Sequence, residues 1–387
     1  MTTGRTLRLL AAALAGATIL AGCGGGGGTE PPRASIARVI VAGDSLADVG
    51  TFGMKFTVQD STSTAGFPIF PQIVAQDFGV NSQCNFYVFT GSTFVPNSTA
   101  GCTNYAVGGG RIVNPASNGG VTAPFDIPVQ LATALQVTGG SWKDTDLLIV
   151  DGGGNDAADL VTAYLGASTG AGGVANYQAF LAQQLDGATI AATLPQPNGA
   201  AIAAGLYMQK LGDTYYAAIK ANALDKGATH VAVLNAPDIT LTPRFQQVLG
   251  AVTNSSGATA SAQLQAAIRQ WVSAFNSELQ AKVNGDGRVA LVDFYSDFSD
   301  EIAHPASYGL TNVTTPACPI TGLDTSGLPT YNFAVCTTAA LDASPPSGLT
   351  AGWWQTYAFS DSFHPTPFGH HLLAASVSRA IARAGWL

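Results

Sequence analysis

Four short runs of the chain are apolar at almost every position rather than at every second one: Ile36–Ala42, Leu147–Val150, His230–Leu234 and Arg288–Val292. They are short and rich in β-branched residues, and two are closed by glycine or by Asp151-Gly152-Gly153-Gly154. Runs with no polar face predict strands buried on both sides, as in parallel sheets. Longer stretches between them carry a helical period. Leu264, Ile268, Trp271, Val272, Phe275, Leu279 and Val283 fall on one i, i+3/i+4 stripe. Residues 200–223 are a second helical candidate. His371–Ala384 is a third, with Leu373, Val377, Ile381 and Ala384 in register. This alternation predicts an α/β fold: a three-layer α/β/α sandwich with a central parallel sheet. Ligands of such sheets sit at the carboxyl ends of the strands. The residues that follow each strand are therefore the ones to inspect.

Two segments break the alternation. Thr51–Cys102 and Asn312–Thr350 are rich in Ser, Thr, Gly, Pro and Asn, and we read them as loop insertions over one end of the sheet. Each holds two cysteines eighteen residues apart, Cys84 with Cys102 and Cys318 with Cys336. Four cysteines allow three connectivities; the equal spacing makes the two local pairs the simplest. The fifth cysteine, Cys23, stands elsewhere. Residues 1–23 carry Arg5 and Arg8, then an apolar stretch from Leu9 to Leu20, then Leu20-Ala21-Gly22-Cys23. The pattern is that of an export signal, and its end resembles a bacterial lipobox with Cys23 as the lipidated residue. Ordinary cleavage near Ala21 is the alternative. Residues 24–35, beginning with Gly24–Gly28, form a flexible linker, and 36–387 form the folded domain. By resemblance, the residue after Cys23 not being Asp directs such a lipoprotein to the outer membrane. The membrane would then be a partner through the lipid chains.

Charge narrows the function. Only 10% of the 387 residues are charged and the net charge is −8, with no cluster of Lys or Arg. Nucleic acid is excluded as a partner. With 47% hydrophobic residues, disorder is excluded as well. No His/Cys spacing reads as a metal site, and no cofactor is expected.

The chemistry lies at the strand exits. Gly43-Asp44-Ser45-Leu46 follows the first strand, so Ser45 projects where a ligand would lie. Asp361-Ser362-Phe363-His364-Pro365 supplies a base for that serine and, three residues earlier, a carboxylate to orient it. Pro365 restricts the backbone of His364. Gly153-Gly154-Asn155-Asp156 follows the second run, and Asn155 can donate to a developing oxyanion. In Asn104-Tyr105-Ala106-Val107-Gly108-Gly109-Gly110 the glycine amides can do the same. A literal G-x-S-x-G at Gly166–Gly170 lacks the strand that such an elbow requires, and is set aside. Each motif alone also fits an ordinary turn or cap.

Together and in this order the four motifs resemble those of the SGNH (GDSL) hydrolase family. The resemblance spans roughly Ile36 to the C-terminus. It implies a flavodoxin-like fold and a serine esterase or lipase, with Ser45 as nucleophile, His364 as base and Asp361 as its orienting acid. It further implies an oxyanion hole from the amides of Ser45 and Gly109 and the side chain of Asn155. Asp44 is then structural, and Asp156 a turn or supporting residue. His304 and His230 are surface or structural groups. His370 and His371 belong to the last helix, as surface plus a supporting contact. The aromatics Phe52, Phe56, Phe67, Phe70, Trp353, Trp354 and Tyr357 are available to line an apolar acyl pocket or simply to pack the loops. Two rivals share the scaffold: a non-catalytic surface lipoprotein for adhesion or glycan binding, and an acyltransferase using an alcohol in place of water.

Overall fold

The computed structural model describes residues 33–387; Cys23, the leader and most of the linker lie outside the described residues. Four parallel strands make the central sheet. They are β1 (Arg38–Ala42), β2 (Asp146–Val150), β3 (Val231–Leu234) and β4 (Val289–Val292), paired in the order β1-β2-β3-β4. The register sets Arg38 against Asp146, and the Arg38 guanidinium grips both Asp146 oxygens at 2.7 and 2.9 Å. The four predicted runs are these four strands: three are trimmed at their start, and the second begins one residue earlier, at Asp146.

Segment 103–107 continues the sheet beyond β1. Val41 donates to the Thr103 carbonyl at 3.0 Å, Tyr105 donates to the Val41 carbonyl at 2.7 Å, and Val107 donates to the Gly43 carbonyl at 3.2 Å. Counting that segment in chain order gives 2-1-3-4-5, the flavodoxin-like order, whose switch point lies between β1 and β2. Ser45 leaves the sheet there.

The helices that cover the sheet are α1 (Phe70–Asp77), α2 (Ile127–Val137), α3 (Gly154–Gly166), α4 (Gly199–Asn222), α5 (Ala258–Val283), α6 (Phe294–Ala303) and α7 (Pro367–Arg383). Alternate strand residues face opposite layers. Ile40, Ala42, Leu148, Val150, Val231 and Val233 pack with α2 to α5, while Val39, Val41, Leu147, Ile149, Ala232 and Leu234 pack with α1 and α7. Both faces are covered, which is why the strands carry no polar stripe. The predicted seven-residue stripe of α5 is buried throughout, each side chain contributing about 1.5–3 kcal/mol. The final helix begins earlier than its apolar period, at Pro367. Thr366 caps it by accepting from the Gly369 amide, and a proline at the first helical position is preset for the turn. Ala384 is its exposed C-cap rather than part of the buried stripe.

The two insertions are more ordered than unstructured loops. The first holds α1 and an antiparallel pair, Tyr87–Phe89 with Phe94–Pro96. The second holds the pair Ile320–Leu323 with Pro329–Tyr331 and a short helix, Thr338–Ala343. The disulfides are Cys84–Cys102 and Cys318–Cys336, one in each insertion. Among the described residues no helix is long and apolar enough to cross a membrane.

Phe275 of α5 is fully buried against Tyr215 of α4, with ring centroids 5.9 Å apart. Phe275→Ala is expected to cost about 3–5 kcal/mol, read in urea as a lower midpoint at unchanged slope. A loss under about 1 kcal/mol would show that this face of the sheet does not depend on the α4–α5 contact.

Candidate active site

Ser45 occupies the first turn after β1, and local chemistry builds that turn. Asp44 Oδ1 accepts from the Leu46 amide at 2.9 Å, and the Asp44 carbonyl accepts from Asp48 at 3.0 Å. Such a side-chain-to-backbone bond two residues on is what Asp offers a turn. The neighbouring glycine is required by contact: a Cβ on Gly43 would lie 1.5 Å from Asp151 Oδ1. Gln130 on α2 clamps the same residue, accepting from the Gly43 amide at 2.7 Å and donating to its carbonyl at 3.0 Å.

The structure brings Ser45, His364 and Asp361 together across the chain. His364 Nε2 stands 2.7 Å from Ser45 Oγ, and His364 Nδ1 stands 2.8 Å from Asp361 Oδ2. Asp361 uses its two oxygens differently. Oδ1 accepts the amides of Phe363 at 2.8 Å and His364 at 2.6 Å, folding the loop; Oδ2 meets the ring. Ser360 donates to the His364 carbonyl at 2.8 Å, and Cys318 donates to the Ser360 carbonyl at 2.7 Å. The second disulfide insertion thus supports the loop that carries His364. Phe56 and Phe333 flank the imidazole with centroids at 5.2 and 5.7 Å.

The electrostatics pair a carboxylate with an imidazole whose charged form it stabilises. Burial raises Asp361 toward protonation, but the His364 charge and ring hydrogen bond and the two amides outweigh it and hold its pKa below the ordinary value. Burial lowers His364, and the Asp361 charge and hydrogen bond, with Asp44 behind them, more than reverse this and hold it above the ordinary histidine value. Behind the serine, Asp44 and Asp151 are both buried. Burial, then the Asp44 charge, pushes Asp151 well up, and burial raises Asp44 too. Each carboxyl disfavours the other's ionisation, and Asp151 is the one pushed further up.

The oxyanion candidates surround the same serine. Neither the Ser45 nor the Gly109 amide has an acceptor among the described residues. Gly109 has φ +80°, a conformation glycine adopts freely. Asn155 Nδ2 lies 3.0 Å from the Gly110 carbonyl and 3.4 Å from Asp44 Oδ2. Asn104 ties this loop to the nucleophile turn, donating to the Ala47 carbonyl at 2.8 Å and accepting from Ala106 at 3.1 Å.

Three supporting residues escape the sequence motifs. Asp48, fully buried, accepts from Thr51, Gly50 and Gly108 at 2.7 to 2.9 Å and so joins the nucleophile turn to the glycine loop; burial pushes its carboxyl up to about 6. Gln130 shares the buried face of α2 with Ile127, Leu131 and Ala134; a polar residue in that register is the available signal. Asp151 carried only the look of a strand-exit turn. Asp156, read as supporting, accepts from Ile112 and Val113 at 3.1 Å each.

The remaining sequence candidates lie elsewhere. His304 is exposed and paired with Asp300 at 2.7 Å. His230 packs edge-on against Trp386. Of the pair read as surface plus a supporting contact, His371 is exposed and His370 is fully buried, and burial drives His370 down to about 3. Ser168 of the G-x-S-x-G stretch is exposed and bonds to the Leu165 carbonyl at the end of α3. Most of the loop aromatics pack the insertions: Phe67, Trp353, Trp354 and Tyr357 cluster around Cys318 and Cys336, and Phe70 is buried under the sheet. Of that set, Phe56 reaches the site. The cleft at Ser45 is lined instead by Phe294, Phe298, Phe359 and Phe363.

Residues 39–377 match the GDSL-like lipase/acylhydrolase family, and the chain belongs to that family. The family supports an ester-hydrolysing function. Among solved structures the chain is similar to phospholipase A1 from Streptomyces albidoflavus NA297, at 17% identity and a TM-score of 0.36, covering 90% of this chain and 97% of that one. No curated protein matches it in sequence.

Gly43→Ala is expected to destabilise the fold by about 1–3 kcal/mol, as overpacking does, because the methyl displaces the Asp151 carboxyl. The double variant Gly43→Ala/Asp151→Gly should recover part of that loss, a coupling that contacting residues show in double-mutant cycles. Additive losses in thermal unfolding would exclude the contact.

Proposed function

We propose that the protein is a serine carboxylic ester hydrolase that works through an acyl-enzyme on Ser45. The observation that carries this is the continuous chain Ser45 Oγ–His364 Nε2 and His364 Nδ1–Asp361 Oδ2, at 2.7 and 2.8 Å. Ser45 Oγ attacks the ester carbonyl carbon while its proton passes to His364 Nε2. Asp361 keeps the other proton on Nδ1 and stabilises the imidazolium. The tetrahedral oxyanion is held by the amides of Ser45 and Gly109 and by Asn155 Nδ2. One Asn155 hydrogen stays on the Gly110 carbonyl; the other, loosely placed toward Asp44, turns to the oxyanion. The imidazolium protonates the departing alcohol. Water then attacks the acyl carbon, gives its proton to His364 and restores Ser45.

The apolar cleft at Ser45 favours the acyl side of a lipid or simple acyl ester, since burying CH₂ groups there is worth about 0.8 kcal/mol each. The Leu20-Ala21-Gly22-Cys23 sequence supports export with a lipid on Cys23, a location that two disulfides also fit. Cys23→Ala should release the protein from the membrane fraction; unchanged membrane association would dismiss the anchor.

Purified protein is expected to hydrolyse p-nitrophenyl esters and to react with a fluorophosphonate at Ser45. Ser45→Ala should abolish both, and hydrolysis that survives this change would dismiss the nucleophile. The pH profile carries a sign. His364 must be neutral to accept the serine proton, and its pKa lies above the ordinary 6.5. The acid limb of kcat/KM should therefore fall above pH 6.5. Asp361→Asn removes the partner that raises it, so the limb should move to lower pH while the rate drops by about 10⁴. A limb that stays in place would mean that Asp361 does not set the base.

A further inference from the structure

The cleft that opens at Ser45 ends on an unusual residue. Its lining includes Ser45 and Leu46, which follow β1, and Phe294, Phe298, Glu301 and Leu310, which follow β4. β1 and β4, the strands these two groups follow, are three strand spacings apart, about 14 Å, a separation that an acyl chain can span. Its walls are otherwise largely apolar, yet Glu301 is only 7% exposed. Its carboxyl has no hydrogen-bond partner among the described residues. The other acids of α6 are satisfied elsewhere: Asp297 by Ser376 and, at 2.8 Å, by Arg379 of α7; Asp300 by His304 at 2.7 Å and by Tyr308. Arg379, the cation facing from α7, is spent on Asp297.

We propose that this cleft takes acyl chains bearing a hydroxyl toward their far end, and that Glu301 selects them. The proposal rests on Ser45 being the nucleophile. A protonated carboxyl both donates and accepts, so one hydroxyl satisfies it inside an apolar cleft. An all-methylene chain would leave the carboxyl dry and unpaired, which is costly. Sites that hydrogen-bond a substrate hydroxyl reject the analogue that lacks it more strongly than apolar pockets reject one extra methylene. Burial, with Asp297 and Asp300 adding to it and Arg379 opposing, pushes Glu301 up to about 7. It donates below that pH and loses its proton above it. Tyr308 near α6, and Asp44 and Asp151 at the nucleophile end of the cleft, are the other titratable groups that bear on it.

The test compares p-nitrophenyl octanoate with hydroxyoctanoates whose hydroxyl sits at successive carbons. For wild-type protein at pH 6, kcat/KM for at least one hydroxyoctanoate should exceed that for octanoate by about tenfold or more. Glu301→Leu should reverse the preference, and Glu301→Gln, which still donates and accepts, should keep it. The wild-type preference should weaken as pH rises through about 7, and that of Glu301→Gln should not. Each ratio is internal to one preparation, so a partly folded variant does not distort it. No hydroxyacyl preference in the wild type, or the same ratio in Glu301→Leu, would overturn the proposal. Hydrolysis absent from the wild type, or persisting in Ser45→Ala, would overturn the esterase reading along with it.

Discussion

Gly43 and Asp151 lie closer than any side chain on Gly43 would permit. β1 and β2 are parallel neighbours, so they end at one edge of the sheet, and their next residues must share the space above it. The chain fills that space with a buried carboxyl from one strand and bare backbone from the other. The whole candidate site is referred to this contact. It fixes where Gly43 stops and therefore where Ser45 starts. It also sets a second carboxyl, Asp44, near the first, so that burial and like charge both push Asp151 up.

The site is a convergence of chain segments on that edge. The flavodoxin-like order makes β1 and β2 diverge in connection, leaving a crevice over their ends. Segment 103–107 delivers the glycine loop to one side of it, and α3 delivers Asn155 to the other. The base arrives on a loop closed by its own aspartate and supported from the Cys318–Cys336 insertion. Buried polar residues join these parts: Gln130 to Gly43, Asp48 to Gly108, Asn104 to Ala47. None of the three contacts substrate in the proposed mechanism, but each holds a donor or nucleophile at a fixed distance, which preorganised catalysis requires.

What was legible in the sequence follows from how local each signal is. Strands buried on both faces announce themselves as β-branched runs, so β1 to β4 were readable. The α5 stripe was readable for the same reason at a different period. α1 was hidden because eight residues with a proline near the start, inside a polar segment, give too few turns to show a period. Ser45, Asn155, Asp361 and His364 stand in motifs whose spacing is local. Gln130 and Glu301 do not: each matters through what a distant strand or helix places beside it. The loop aromatics left pocket and loop packing both open in the sequence, for the converse reason. Large rings in polar loops suggest a pocket, but a disulfide-closed insertion needs its own small core, and Phe67, Trp353, Trp354 and Tyr357 build it.

The distance in sequence between Ser45 and His364 has a consequence for how the protein is made. The two are 319 residues apart. At translation rates of about 5–20 residues per second, the base is synthesised roughly 15 to 60 s after the nucleophile. During that interval Ser45 is a plain alcohol, with neither its proton acceptor nor the final helix that seats the acceptor. On the proposed mechanism a nascent or C-terminally truncated chain is therefore chemically silent, however well its first strands have formed. The ester-cleaving site of that mechanism thereby stays inert in the cell that builds it until the whole chain has closed.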